Sequence, residues 1–251
     1  MVSGLTPANK MNKKKKYLVI DVETANSMDD PLVYDIGLAV CDNSGKIYCT
    51  RSYIVKEIFF GEADMMKSAY YAAKIPQYKE GILRGEYYVA PFLHIWDSIR
   101  RIMNLYKIKT VMAYNCNFDR KALNTTLRFI TKSRYRYFFP FETEFNCIWN
   151  MSCQVLYSQK KFCKAALANG WISEKGNLQT SAEVGKRYIS NTIDFAEKHT
   201  GLEDVLIEVE LFAACVKKHK AMNRNISRFC WRLPTQTHKQ EIKEWRAAQN
   251  V

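Results

Sequence analysis

The chain has 251 residues, 47% of them hydrophobic, and carries 38 Lys and Arg against 25 Asp and Glu, a net charge of +13. That apolar content suits one large packed domain with appendages and excludes a wholly disordered chain, while the basic excess favours a polyanionic partner such as nucleic acid or an anionic surface. No apolar run approaches the ~20 residues of a membrane-spanning helix, and Lys13–Lys16 precede only the short apolar stretch Leu18–Ile20, so the expectation is a soluble, intracellular, cytoplasmic protein without signal peptide or membrane partner.

Residues 1–16 are polar, end in four lysines, and read as a basic disordered tail. From Tyr17 the alternation predicts three strands, Tyr17–Asp21, Tyr34–Cys41 and Lys46–Val55, the last two joined by Asp42-Asn43-Ser44-Gly45, a cluster with hairpin-turn chemistry. An antiparallel meander follows from this order. Residues 57–90 are mixed: Met65, Met66, Tyr70, Tyr71 and Ala72 fall near helical spacing, with turn signals around Pro76 and Gly85. Residues 92–106 predict an amphipathic helix, Thr110–Tyr114 a short strand, and about 118–131 a second helix, a strand-helix-strand order that implies a crossover onto the same sheet. The pattern weakens through 141–178, and 133–180 reads as an insertion or elaboration, with the aromatics Tyr135, Tyr137, Phe138 and Phe139 suggesting a docking segment for a polymerase or replication partner. Helices are expected at 180–189, 192–198 and 201–219. A C-terminal extension, 225–251, should carry a helix at about 237–248. The domain itself is bounded at 17–224.

Eight cysteines, at 41, 49, 116, 147, 153, 163, 215 and 230, contain no CxxC pair and read as reduced core residues. A zinc set from Cys147, Cys153 and Cys163, or from Cys215 with His219, stays open as an alternative.

Three short motifs carry the chemistry. In Asp21-Val22-Glu23 the carboxylates stand at i and i+2 at a strand end, so both point to one face of the sheet, where they repel unless cations neutralise them. Oxygen donors of this kind suit Mg²⁺ or Mn²⁺. In Tyr114–Asp119 an apolar strand stops and a helix begins; Asn117 is the expected N-cap, placing Asp119 in the first turn near the positive end of the helix dipole. In His199–Asp204, Thr200 and Glu203 have capping-box spacing, which makes His199 the N′ and Asp204 the N4 residue, positions that pack together. Each alone has an ordinary structural explanation: a solvated strand end, a dipole-complementing acid, a staple histidine.

Taken together, the order D-x-E, D, H-x4-D resembles the DEDDh branch of the DnaQ-like exonuclease family, within the ribonuclease H-like superfamily. The matching stretches are Asp21–Thr24, Asn115–Asp119 and His199–Asp204, and the resemblance spans about 17–219. Many relatives carry a His where Tyr114 stands. Asn169–Ile172 and Thr180–Glu183 are similar to phage-borne members.

The resemblance implies an α/β fold, a ribonuclease H-like mixed sheet of antiparallel meander plus parallel strands, flanked by helices. It implies two Mg²⁺ or Mn²⁺ ions held by Asp21, Glu23, Asp119 and Asp204, His199 as general base, and 3′-5′ removal of 5′-mononucleotides from DNA with single-stranded or frayed 3′ ends. Thr24, Ala25, Asn26, Asn115 and Phe118 would border the terminal nucleotide. Two alternatives remain: an exoribonuclease, since these motifs serve both substrates, and an inactive nucleic-acid-binding protein, whose expected mark is a missing acid or histidine. All five are present.

Overall fold

A computed structural model describes residues 14–67 and 69–249. The expected basic tail lies mostly outside the described residues. Its last lysine, Lys16, already belongs to the first strand.

Strands β1 (Lys16–Ala25), β2 (Leu32–Asp42) and β3 (Ile47–Val55) form the expected antiparallel meander. The β2–β3 turn closes as its sequence demands. Asp42 Oδ1 accepts from the Ser44 amide at 2.8 Å, and Gly45 takes φ 82°, a conformation costly for any residue with a Cβ. Strand β4 (Tyr88–Ala90) adds to β3 in parallel, β5 (Thr110–Ala113) to β1 in parallel, and β6 (Glu144–Cys147) to β5 in parallel. The result is the expected mixed sheet of antiparallel meander plus parallel strands, in the order β4-β3-β2-β1-β5-β6.

Residues 56–83 resolve into α1 (Lys56–Phe59), α2 (Ala63–Lys67), a 3-10 turn at Ala72–Lys74, and α3 (Ile75–Leu83). Pro76 opens α3 instead of marking a turn, because its fixed φ and missing N–H cost nothing in a first helical turn. The amphipathic helix α4 (Phe92–Tyr106) has the expected bounds, and α5 (Cys116–Thr131) begins two residues before its expected start. Asn115 is the N-cap residue in place of Asn117, so Asp119 is the fourth helical residue.

The stretch 133–180 is built into the fold. Besides β6 it supplies α6 (Ile148–Ser152), a π-helical turn (Cys153–Tyr157) and α7 (Lys160–Ala168), whose Ile148, Met151, Tyr157 and Phe162 are fully buried. Then come α8 (Ala182–Ser190) and α9 (Gly201–Lys217). The helix expected at 192–198 does not form. That segment is turn and irregular chain, held by Arg187 Nε donating to Phe195 O at 2.7 Å. The C-terminal helix expected at about 237–248 forms as α11 (Lys239–Gln249), preceded by a short helix, α10 (Arg232–Thr237). Both pack on the domain: Ile242 is buried, the Leu178 amide donates to Thr235 Oγ1 at 3.0 Å, and His238 Nε2 lies 3.0 Å from Ser158 O.

Strand alternation divides the core. Leu18, Ile20 and Val22 face α4 and α5, joining Phe92, Ile95, Ile99 and Leu127, while Tyr17 and Val19 face the opposite layer with Val205, Phe212 and Phe162. The odd positions continue to 21 and 23, so both acids of the D-x-E stand on the α9 side. Helix α9 comes very close there: a Cβ on Gly37 would sit 1.9 Å from the Gly201 carbonyl carbon, and one on Gly201 would sit 2.5 Å from the Gly37 nitrogen. Only a glycine pair permits this contact between β2 and the first turn of α9. Among the described residues no helix is long and apolar enough to cross a membrane.

Candidate metal centre

Asp21 and Glu23 lie within β1, which runs on to Ala25, and not at its end as expected. Glu23 pairs across the ladder with Asp35 of β2. Ligand oxygens of Asp21, Glu23 and Asp204 come within 4.8 Å of one another, and a second group, Glu197, His199 and Asp204, meets the same limit. Asp204 belongs to both. Asp119 is buried, with its carboxylate bonded by the backbone amides of Val22 and of Asp119 itself, which places the second motif beside the first. All five predicted residues therefore gather beside the second half of β1, past the end of β5 and at the start of α9.

The third motif is assembled differently from its sequence pattern. Thr200 is the N-cap residue of α9, yet its hydroxyl donates to the Glu203 side chain at 3.1 Å and caps no backbone amide. The cap comes from the sheet: Asp35 Oδ2 accepts from the Gly201 amide at 2.9 Å and from the Tyr78 hydroxyl at 2.8 Å. His199 has φ 50°, a left-handed conformation that bends the chain just before the helix. Its ring stacks on Tyr71 with centroids 4.8 Å apart and planes 15° off parallel, and its Nδ1 lies 3.6 Å from Glu197 Oε2. Lys74 donates to the carbonyl oxygens of Lys198 and His199.

The electrostatics follow from crowding acids in a dry place. Burial first, then Asp119, Glu208, Asp204 and Glu23, hold the Asp21 carboxyl well above the carboxylate range. Burial and the Asp35 charge push Glu23 up to about 9, against the opposing Lys74 cation. Asp204 also rises to about 9, through burial and then Glu197 and Glu23. For Asp119 burial outweighs its two amide bonds and the result is about 7. Asp204 Oδ1 and Glu208 Oε2 are buried without a hydrogen-bond partner among the described residues. Buried anionic oxygens of this kind are costly unless a cation meets them. The donor set, all oxygens apart from one imidazole, fits a hard divalent ion such as Mg²⁺ or Mn²⁺.

A stability prediction follows. Carboxyls near 4 in the unfolded chain titrate between about 7 and 9 in the folded one. The folded state thus holds more protons through that window, and stability falls as pH rises. In EDTA the melting temperature should drop steadily from about pH 5 to pH 9. At pH 8, Mn²⁺ or Mg²⁺ at ~100 times its Kd should restore about 2.7 kcal/mol, roughly 5–11 °C for a chain of this size. A melting curve unmoved by either ion would remove the metal assignment.

No protein-family model matches the chain, and no curated protein matches it by sequence. Solved structures do. Exonuclease I of E. coli in complex with a dT13 oligonucleotide matches at 11% identity and a TM-score of 0.49, over 80% of this chain and 41% of that one. Its complex with a 5cy-dT13 oligonucleotide matches at 11% and 0.48, over 82% and 40%. The zinc-bound form of its single-stranded DNA complex matches at 12% and 0.44, over 82% and 41%. The chain spans about two-fifths of the length of these proteins.

The remaining predicted residues are less uniform. Asn115 is exposed at the start of α5, and Phe118 is half-buried against the α4–α5 core. Ala25 is buried in that core, and Asn26, at φ 69°, spends its side chain on Asp30 O at 2.8 Å, closing its own loop. Tyr114 turns its hydroxyl to Tyr157 at 2.7 Å and Thr180 O at 2.5 Å. Among the described residues neither group of three or more close enough to hold a metal includes a cysteine, so the set Cys147, Cys153 and Cys163 does not assemble.

Sequence reasoning passed over Asp35, Glu208, Glu197, Tyr71 and Lys74. Two left a signal. Asp35 interrupts the apolar run Leu32–Val40, and Glu208 stands one turn after Asp204 on the same face of α9, where its Oε1 accepts from the Tyr114 amide at 3.0 Å. Glu208 thereby ties α9 to the end of β5, just before the helix that carries Asp119. Tyr71 and Lys74 lie at a 3-10 turn and Glu197 in irregular chain, and the helical spacing read in both segments says nothing of the partners these side chains meet.

Proposed function

We propose that this chain is a metal-dependent 3′-5′ exonuclease that releases 5′-mononucleotides from DNA. The observation that supports it is the convergence of Asp21, Glu23 and Asp204, with Asp119 beside them, on a buried spot that leaves Asp204 Oδ1 unpaired. Asp21, Glu23, Asp119 and Asp204 would hold the divalent ions. When bound, such ions supply charge stabilisation at the scissile phosphate and acidify the attacking water.

The protein's own groups do the rest. His199 takes the proton from the attacking water. Burial first, and then the Lys74 cation, lower its pKa below the ordinary 6.5, so the ring is neutral and able to accept a proton at pH 7. Tyr71 stacked on one face and Glu197 near Nδ1 hold the ring in place. Asp35 secures the helix end that presents Asp204.

The test is incubation of the purified protein with 3′- and 5′-labelled DNA and RNA oligonucleotides, with Mg²⁺, Mn²⁺ or EDTA. The expected result is release of the 3′ label as a mononucleotide from DNA, only with metal. Faster release from RNA would reassign the substrate, and internal cleavage alone would overturn the exonuclease reading.

A further inference from the structure

A groove of about 720 Å³ runs beside α5, outside the acid cluster. One wall is a helical stripe, Asn117, Arg120, Lys121, Asn124 and Arg128; the other is the 137–145 segment, and Arg228 lines it as well. Among the described residues lining it none is acidic, and four are cationic. Two of its aromatic rings are out in solvent: Phe141 is fully exposed and Tyr137 64% exposed. Two of the guanidinium groups lie over rings, Arg128 over Tyr137 at 5.1 Å and Arg120 over Phe145 at 5.2 Å.

The groove shares α5 with Asp119. Asn117 and Lys121 lie two residues either side of Asp119, and Lys121 Nζ donates to Met28 O at 3.1 Å, in the loop that follows β1. From Asn117 to Arg128 the stripe extends about 16 Å along the helix at 1.5 Å per residue. A like-charged channel with stacking platforms suits an unpaired strand, because phosphates attract cations and every base has a π-face. The exposed rings do not suit a duplex, whose bases are already stacked.

We propose that this groove carries the single-stranded segment of the substrate just upstream of the 3′ end, with Phe141 and Tyr137 stacking bases and Arg120, Lys121, Arg128 and Arg228 meeting phosphates. This rests on the nuclease reading of the adjacent cluster for its direction, and on the groove's own chemistry for its ligand.

Binding and hydrolysis separate the two claims. Anisotropy of 5′-fluorescein dT15 and rU15 in EDTA, where no cleavage occurs, should show Phe141→Ala weakening binding roughly tenfold, within the range for loss of one base stack. Arg128→Ala should weaken binding and lower the slope of log K against log salt by about 0.7, the value for one single-strand phosphate contact. Phe141 is exposed and Arg128 half-buried, its Nε donating to Arg136 O at 3.2 Å, and an unchanged melting temperature confirms folding. A blunt 15-base-pair duplex should bind more weakly than dT15. If both variants bind dT15 with wild-type affinity and salt slope while the wild type still hydrolyses DNA, the groove proposal fails and the nuclease reading stands. If the variants lose binding but the wild type hydrolyses nothing, the groove stands and the nuclease reading falls. A polyglutamate peptide that displaces dT15 at equal concentration would assign the groove to acidic peptides and overturn the proposal.

Discussion

Asp204→Asn should abolish metal-dependent turnover, by about 10³-fold or more, and at the same time raise the melting temperature of the metal-free protein near pH 8. Asp204 is the residue common to both metal-sized groups, so its loss breaks either one. The turnover estimate takes charge stabilisation at the phosphate as several kcal/mol, at 1.36 kcal/mol per tenfold. The stability gain comes from removing a carboxyl that burial, Glu197 and Glu23 hold at about 9, and that keeps one oxygen unpaired. Asn has the same shape and needs no proton taken up on folding at this pH. Each kcal/mol relieved raises the melting temperature by about 2–4 °C. With Mn²⁺ present the order should reverse, because the wild type gains from the ion and the variant gains less. Scanning calorimetry in EDTA and in Mn²⁺, beside a nuclease assay, measures both halves. A variant with wild-type turnover, or one that melts lower in EDTA, would contradict the proposed centre.

His199→Ala should lower kcat by about 10²–10⁴-fold, the usual contribution of a positioned base. Its mark is selectivity: the Mn²⁺-induced rise in melting temperature should survive, and KM should change little. The wild-type rate should rise with pH through the imidazole pKa, which lies below 6.5 because burial and then Lys74 disfavour the charged ring. That acidic limb should vanish from the residual activity of the variant. Because His199 nitrogen also lies within metal-ligand reach of Glu197 and Asp204, loss of the Mn²⁺ shift would reassign it from base to ligand. Retained wild-type turnover would exclude it from both roles.

The sequence by itself determined the layout of the acids within their own elements. Period-2 alternation through β1 is enough to put Asp21 and Glu23 on one face, and an apolar stripe is enough for α4. The short H-x4-D spacing at a helix start is enough to bring His199 and Asp204 within reach of one another. Local rules failed where a distant partner offered something better. The capping box at Thr200 yielded to Asp35, a carboxylate 166 residues earlier, which reaches Gly201 because Gly37 and Gly201 let β2 and α9 touch. No helix formed at 192–198, in the chain that delivers Glu197 and His199. The stretch 133–180 looked foreign because its strand is an edge strand of four residues, too short to show a period, and its place is set by pairing with β5. Only the tertiary structure decided that Glu208 braces β5, that Tyr71 stacks on His199, and that the α5 stripe faces exposed aromatics across a basic groove. Periodicity reports which way a side chain leaves its own element, and the partner it meets depends on how the elements pack.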